Sequence, residues 1–96
     1  MEYYIIIISD VATESQIEDF MKALSQDFIN VKGAENIFLI VTDKEIPTNE
    51  IHETIFKRIK SLSFLVIKPD KWYGGLYDEA WNWLKEKLPE IDWVNE

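Results

Sequence analysis

Few residues of this sequence have types and positions suited to chemistry. Asp10 directly follows an apolar run, and the end of a strand is a common place for a ligand. Two such carboxylates that met in a dimer could bind Mg²⁺ or Mn²⁺. In the simpler interpretation, Ser9 and Asp10 turn the chain toward the next helix. Asp43 ends a second apolar run, but we expect that run to be antiparallel to the first, so the two acids would lie at opposite ends of a sheet.

His52 is the one histidine, and the chain contains no cysteine. A single histidine without cysteine cannot form a conventional structural zinc site. As a general base it would need a nucleophile or a substrate pocket, and the sequence indicates neither. We therefore predict that His52 is a solvated surface residue. The sequence also lacks a phosphate-binding glycine-rich loop and the motifs of common hydrolases.

Aromatic residues are concentrated in residues 72–96, which we expect to form a helix and a tail. Two residues on a helix that are two positions apart, such as Trp81 and Trp83, cannot both face inward. Aromatic side chains are also enriched in the centres of protein interfaces. The candidate interface residues are therefore Trp72, Tyr73, Trp81, Trp83 and Trp93. Coverage of the protein's own sheet accounts for these residues equally well.

One basic region interrupts an acidic chain. Residues 55–75 carry five basic side chains and one acid, a balance of +4, whereas the whole chain has a net charge of -8. Basic residues beside aromatic ones can bind single-stranded nucleic acid. Lysine and arginine also stabilise the carboxyl end of a helix, which is the simpler explanation. The basic residues are Lys57, Arg58, Lys60, Lys68 and Lys71.

Length and composition define the class of protein. Ninety-six residues, of which 47% are apolar and 14% aromatic, predict one folded domain spanning residues 1–96. No apolar run is long enough to cross a membrane, and no basic leader is recognisable, so we expect a soluble cytoplasmic protein. The acidic balance argues against general binding of nucleic acid and leaves a basic protein partner open.

Four short segments have the pattern of strands. Unbroken apolar runs at residues 3–8 and 37–41 predict buried strands. Residues 29–32 alternate between apolar and polar, which predicts an outer strand joined to residues 37–41 by a turn at residues 33–36. Residues 64–67 predict a fourth strand, ended by Pro69.

Three segments have the pattern of helices. Thr13 and Gln16 form a capping box before an apolar stripe that runs to Phe28. Thr48 or Asn49 is expected to cap a second helix, whose apolar stripe is Ile51, Ile55, Phe56, Ile59 and Leu62. Residues 77–88 predict a third helix. The order predicts an α+β fold, a ferredoxin-like βαββαβ sandwich with an additional carboxy-terminal helix.

This topology leaves one face of the sheet in need of cover. The first two helices cover only one face, yet the first and third strands are apolar on both. An uncovered face would be a large apolar patch. The tryptophan-rich segment, a second copy of the chain or a different partner could cover it. We expect the first two together, and hence a homodimer.

Two segments resemble a known group of proteins. Residues 4–10, Tyr-Ile-Ile-Ile-Ile-Ser-Asp, and residues 72–84, Trp-Tyr-Gly-Gly-Leu-Tyr-Asp-Glu-Ala-Trp-Asn-Trp-Leu, resemble the CRISPR-adaptation-nuclease-like superfamily. The nearest resemblance is to short SinR-type proteins, whose tails resemble a W-x-G-L-x-D-E-A-x-x-W-L pattern. The resemblance implies a ferredoxin-like homodimer. It also implies that Asp10 takes the place of an aspartate linked to divalent-metal-dependent nuclease action. Residues 11–14, Val-Ala-Thr-Glu, differ from the basic stretch expected there, which argues against a nuclease.

The sequence thus supports three functional hypotheses. The first is a non-catalytic, dimeric protein-interaction module, which the resemblance associates with prokaryotic or phage defence and which needs no cofactor. The second is a metal-dependent endonuclease with Asp10 as a ligand of Mg²⁺ or Mn²⁺. The third is an acidic inhibitor of a nucleic-acid-binding protein, acting through the negative helix that carries Glu14, Glu18 and Asp19.

Overall fold

The protein is an α+β domain in which helices lie on both faces of a four-stranded antiparallel sheet. A computed structural model describes residues 2–9, 11–60, 62–69 and 78–87. The strands are β1 (Glu2–Ile8), β2 (Ile29–Ala34), β3 (Ile37–Thr42) and β4 (Phe64–Ile67). The helices are α1 (Glu14–Asp27), α2 (Thr48–Phe56) and α3 (Asp78–Lys87).

The strand order is β2-β3-β1-β4, and all neighbouring strands are antiparallel. This is the order of a ferredoxin-like sheet, so the prediction of the fold class is confirmed. The two continuous apolar runs form the central strands β1 and β3, where both faces of a strand need apolar side chains.

The main core lies between the sheet and helices α1 and α2. Side chains alternate across a strand, so Tyr4, Ile6 and Ile8 of β1 all point to this layer, where they are buried. Phe20 of α1 is fully buried against the aromatic ring of Phe38, with ring centroids 5.5 Å apart. The apolar stripe of α1 is therefore what attaches that helix to the sheet.

Helix α1 begins as the sequence predicts. The Thr13 hydroxyl accepts a hydrogen bond from the Gln16 backbone amide at 3.1 Å, and the Gln16 side chain accepts one from the Thr13 amide at 2.8 Å. Two amide groups that would lack helical partners are thereby satisfied, which fixes where the helix starts.

Helix α2 differs from its prediction at both ends. Its N-cap is Pro47, with no side-chain cap, so the prediction of a Thr48 or Asn49 cap is wrong. The helix ends at Phe56, so Ile59 and Leu62 enter the core from the following segment rather than from a longer helix. Phe56, the last residue of α2, is 42% exposed, so its expected place in the apolar stripe is wrong.

The hairpin between β2 and β3 is tighter than predicted. Strand β2 extends through Ala34, with an irregularity in its pairing between Lys32 and Ala34. The turn is reduced to residues 35–36 instead of 33–36. A bulge at this point increases the local twist of an edge strand.

Candidate protein-interaction surface

Among the described residues, helix α3 covers part of the second face of the sheet. Ala80 and Leu84, one helical turn apart, are fully buried against Leu39 and Val41 of β3. Trp83 is half-buried and packs against the same cluster. Helix α3 therefore lies over the β2–β3 half of this face, since it contacts β2 and packs against Leu39 and Val41 of β3.

The other half of this face presents apolar side chains to solvent. Ile7 of β1 pairs with Leu65 of β4, and Ile5 pairs with Ile67. Residues paired across antiparallel strands point to the same face, so these side chains are neighbours. Leu65 is 63% exposed and Ile67 is 39% exposed, while Ile7 is half-buried. We call Ile7, Leu65 and Ile67 the open strip.

A shallow apolar pocket continues the open strip at the end of the β1–β4 ladder. Ile7 and Leu65 of the open face line it, together with Ile8 and Phe64, which belong to the main core on the other face. Ser9 and Ser63 close its end, where the Ser9 amide donates to the Ser63 carbonyl at 3.1 Å. The pocket can receive an apolar side chain, but it contains no titratable group for catalysis.

On the face of the sheet opposite the open strip, the Phe64 ring of β4 stacks with the His52 ring of α2, which also stacks with Phe56. The His52 ring lies 4.4 Å from the Phe64 ring, centroid to centroid, and 5.8 Å from the Phe56 ring. His52 is half-buried, so the prediction of a solvated surface histidine is wrong. Its neighbours are apolar rings, which indicates packing rather than proton transfer.

The basic region is partly neutralised by ion pairs. Arg58 donates two hydrogen bonds to the Asp27 carboxylate, at 2.6 Å and 3.2 Å, and a third to Gln26 at 2.8 Å. Lys68 donates to Glu2 at 2.8 Å and lies 3.8 Å from Glu45. The positive charges of these two residues are therefore already matched, which weakens the case for binding of nucleic acid.

These contacts change the acid–base behaviour of the paired groups. The hydrogen bond from Arg58 holds the pKa of Asp27 below its ordinary value, and the one from Lys68 does the same for the pKa of Glu2. The carboxylates in turn raise the pKa of Arg58 and of Lys68. All four groups are therefore charged near neutral pH.

The predicted site residues are only partly within the described structure. Asp10, Trp72, Tyr73 and Trp93 lie outside the described residues, as does the side chain of Trp81. Trp83 packs on the protein's own sheet, so it serves as cover for that face. Among the described residues, no three His, Asp or Glu side chains are grouped closely enough to hold a metal ion.

Sequence reasoning missed the exposed apolar residues around β4, which are Leu65 and Ile67 in the open strip and Phe56 on α2. A usable indication was present, because the predicted topology puts residues 64–67 at the edge of the sheet. An edge strand composed only of apolar residues is unusual, since natural edges normally carry charges or a proline. Combining the strand's position with its composition would have identified the surface.

Comparisons with known proteins identify no relative of this chain. No family model, no curated protein and no solved structure matches the chain. The resemblance to the CRISPR-adaptation-nuclease-like superfamily therefore stays a prediction. In the part of the chain that the structure describes, no helix has the length and apolar character needed to cross a membrane.

Proposed function

We propose that this protein is a non-catalytic module that acts through protein contacts and associates with a second copy of itself. The observation that carries the proposal is the open strip, because Leu65 and Ile67 expose apolar surface beside Ile7 on a sheet face that α3 covers elsewhere. Contiguous apolar surface on a small protein is typical of an interaction site.

The size of the strip limits how strong the association can be. Full burial of one Leu or Ile side chain contributes about 1.5–3 kcal/mol. Two partly exposed side chains from each of two copies therefore contribute on the order of 4 kcal/mol. Association itself costs about 4–15 kcal/mol in lost translational and rotational freedom, so further contacts besides the strip are required for a dimer to form. We expect self-association in the micromolar range rather than a tight dimer.

Sedimentation equilibrium between roughly 1 and 300 µM tests this proposal, over the range where such a dimer dissociates. The wild-type mass should rise from that of the 11.4 kDa chain toward twice that value. Leu65→Lys should remove the rise, because it places a charge within the strip. Ile29→Lys is the matched control, since Ile29 is 53% exposed on the opposite edge strand. A monomer throughout the range would contradict the proposal.

The non-catalytic part of the proposal has its own test. The purified protein is incubated with RNA and DNA in the presence of Mg²⁺ or Mn²⁺, beside an Asp10→Ala variant. We expect equal and negligible cleavage by both proteins. Cleavage that disappears in the variant would contradict the proposal and favour the metal-dependent nuclease.

A second candidate function is supported by the surface of α1. Glu14, Glu18 and Asp19 are all exposed, so this helix offers negative charge to a basic partner. Capture of a basic nucleic-acid-binding protein should then weaken with salt and disappear when the three acids are changed to lysine. Capture that is insensitive to these changes would exclude α1 as the binding surface.

A further inference from the structure

The two edges of the sheet differ in how well they are protected against pairing. Edge strand β2 carries Lys32 and an irregularity in its pairing next to it, both of which discourage another strand from adding there. Edge strand β4 consists of Phe64, Leu65, Val66 and Ile67, without a charge, glycine or proline. Its outer side has no neighbouring strand within the described part of the sheet. A second copy would therefore add at β4 rather than at β2.

We infer that two copies join edge to edge through antiparallel pairing of β4 with β4 of the second copy, so that the two sheets form one sheet. This inference rests on the proposed function. It adds that the second copy binds at the edge beside the open strip, and it gives the geometry of that contact. Main-chain hydrogen bonds between the two edges supply the contacts that the open strip alone lacks.

The apolar pattern selects the register of this pairing. Residues directly opposite each other in an antiparallel pair share a face, so exposed residues must meet exposed residues. With Val66 opposite Val66 of the second copy, each Leu65 lies opposite an Ile67. That register joins the two open strips into one continuous patch. A register centred on Leu65 would instead place Ile67 opposite Ser63, a less favourable match.

The same arrangement covers the apolar surface on the opposite side of the edge. Helix α2 lies over β4, since His52 stacks on Phe64. A two-fold axis perpendicular to the sheet would set the two α2 helices side by side and antiparallel. Phe56, which is 42% exposed next to His52, would then lie between them. Exposed apolar groups on both sides of one edge are thus covered by a single partner.

The charges of α2 favour a second copy as that partner. Glu50 lies in the first turn of the helix and Glu53 about one turn later, and Lys57 and Lys60 follow its end, all four exposed. None of the ion pairs among the described residues includes these four side chains. Antiparallel α2 helices place the acidic end of one beside the basic end of the other. The surface is therefore complementary to itself.

A charge-reversal experiment tests the pairing of the α2 helices. One full-length variant carries Glu50→Lys and Glu53→Lys, and the other carries Lys57→Glu and Lys60→Glu. Each alone should self-associate about tenfold more weakly than wild type, because like charges then face each other. An equimolar mixture should regain wild-type affinity as a heterodimer. Circular dichroism of each variant confirms that α2 still forms.

A single-cysteine experiment tests the register directly, because the wild-type chain has no cysteine. Residues opposite each other in antiparallel strands have Cα atoms about 4.5–5.5 Å apart, which is within the range of a disulfide. Val66→Cys should therefore form a covalent dimer under mild oxidation. Ile29→Cys, at the other edge, should cross-link no faster than random collision allows.

The outcomes separate this inference from the proposed function. Cross-linking at residue 66 together with recovery of affinity on mixing supports both. A wild-type dimer that neither cross-links there nor responds to the charge reversals would overturn the edge-to-edge inference and leave the proposed module intact. A wild-type monomer at every concentration would overturn both, and it would mean that β4 is not a site for a second copy.

Discussion

Tyr4 and Ile46 join the central strand β1 to the loop before α2 through two hydrogen bonds. The Tyr4 hydroxyl donates to the Ile46 carbonyl and accepts from the Ile46 amide, each at 2.8 Å. Tyr4 is fully buried and Ile46 is half-buried, so the contact lies where the loop meets the core. A single hydroxyl thus satisfies both polar groups of a loop residue that packs against the main core.

Tyr4→Phe should destabilise the protein, since the ring stays in place while both polar groups of Ile46 lose their partner. Because these backbone groups are part-buried, loss of their partner costs at most about 3 kcal/mol. The free energy of unfolding in urea measures this loss. Thr54→Ala is the control, because it removes an exposed hydroxyl that donates to Glu50 within α2, and we expect a change within about 0.5 kcal/mol. Equal effects of the two changes would contradict the role assigned to Tyr4.

Helices α1 and α2 give a matched pair of threonines. Thr13→Ala should cost about 1 kcal/mol in the free energy of unfolding, because it breaks the capping box of α1. Thr48→Ala should have little effect, since Thr48 is the first residue of a helix whose N-cap makes no side-chain bond. Urea titrations of both variants measure the difference. A larger loss for Thr48→Ala would show that the start of α2 differs from the one described.

The Asp27–Arg58 pair makes a prediction about pH. Because the folded pKa of Asp27 is lowered, its contribution to stability is complete above the unfolded pKa of about 4 and is lost as the pH falls through the folded value. Asp27→Asn should therefore lower the urea midpoint at pH 7, and the difference from wild type should shrink as the pH approaches about 2.

The control for this prediction is Asp19→Asn, which changes an exposed carboxylate of the same helix that is absent from the ion pairs among the described residues. Its midpoint should stay close to wild type at both pH values. A difference between wild type and Asp27→Asn that is constant with pH would show that the effect does not come from ionisation of Asp27.

The attachment of α3 can be tested at its centre. Leu84→Ala should destabilise the protein by about 2–4 kcal/mol, because Leu84 is fully buried against β3 and its truncation leaves a cavity. Asn82→Ala, on the exposed side of the same helix, should change the free energy of unfolding by less than about 0.5 kcal/mol. Similar values for both variants would mean that α3 does not depend on this contact.

The sequence is sufficient to predict the order and type of the elements. The runs at residues 3–8 and 37–41 are apolar over six and five consecutive positions, which is typical of the central strands β1 and β3. Thr13 and Gln16 locate the start of α1 because a capping box is a local feature that needs no tertiary contact. Ala80 and Leu84 indicate the buried side of α3 for a similar reason, since their spacing is one helical turn.

The remaining features depend on tertiary contacts that periodicity does not encode. The apolar spacing of α2 continues in the sequence to Leu62, but the helix ends at Phe56, and Ile59 and Leu62 are buried from an irregular segment. His52 looks solvated in isolation, yet it stacks on Phe64, a residue twelve positions away on another element. The open strip follows from where α3 lies on the sheet, which no local pattern specifies.

Hydrogen exchange of the β4 amides at two protein concentrations tests the central claim most directly. Above the concentration at which the dimer forms, exchange at Val66 should become slower than in dilute protein, because the register of β4 with β1 directs its amide away from β1, to the edge where a second copy pairs. Amides of β2, such as that of Ile29, should exchange at the same rate in both samples. Exchange at β4 that is independent of concentration, or slowing at β2 alone, would contradict self-association through the open strip.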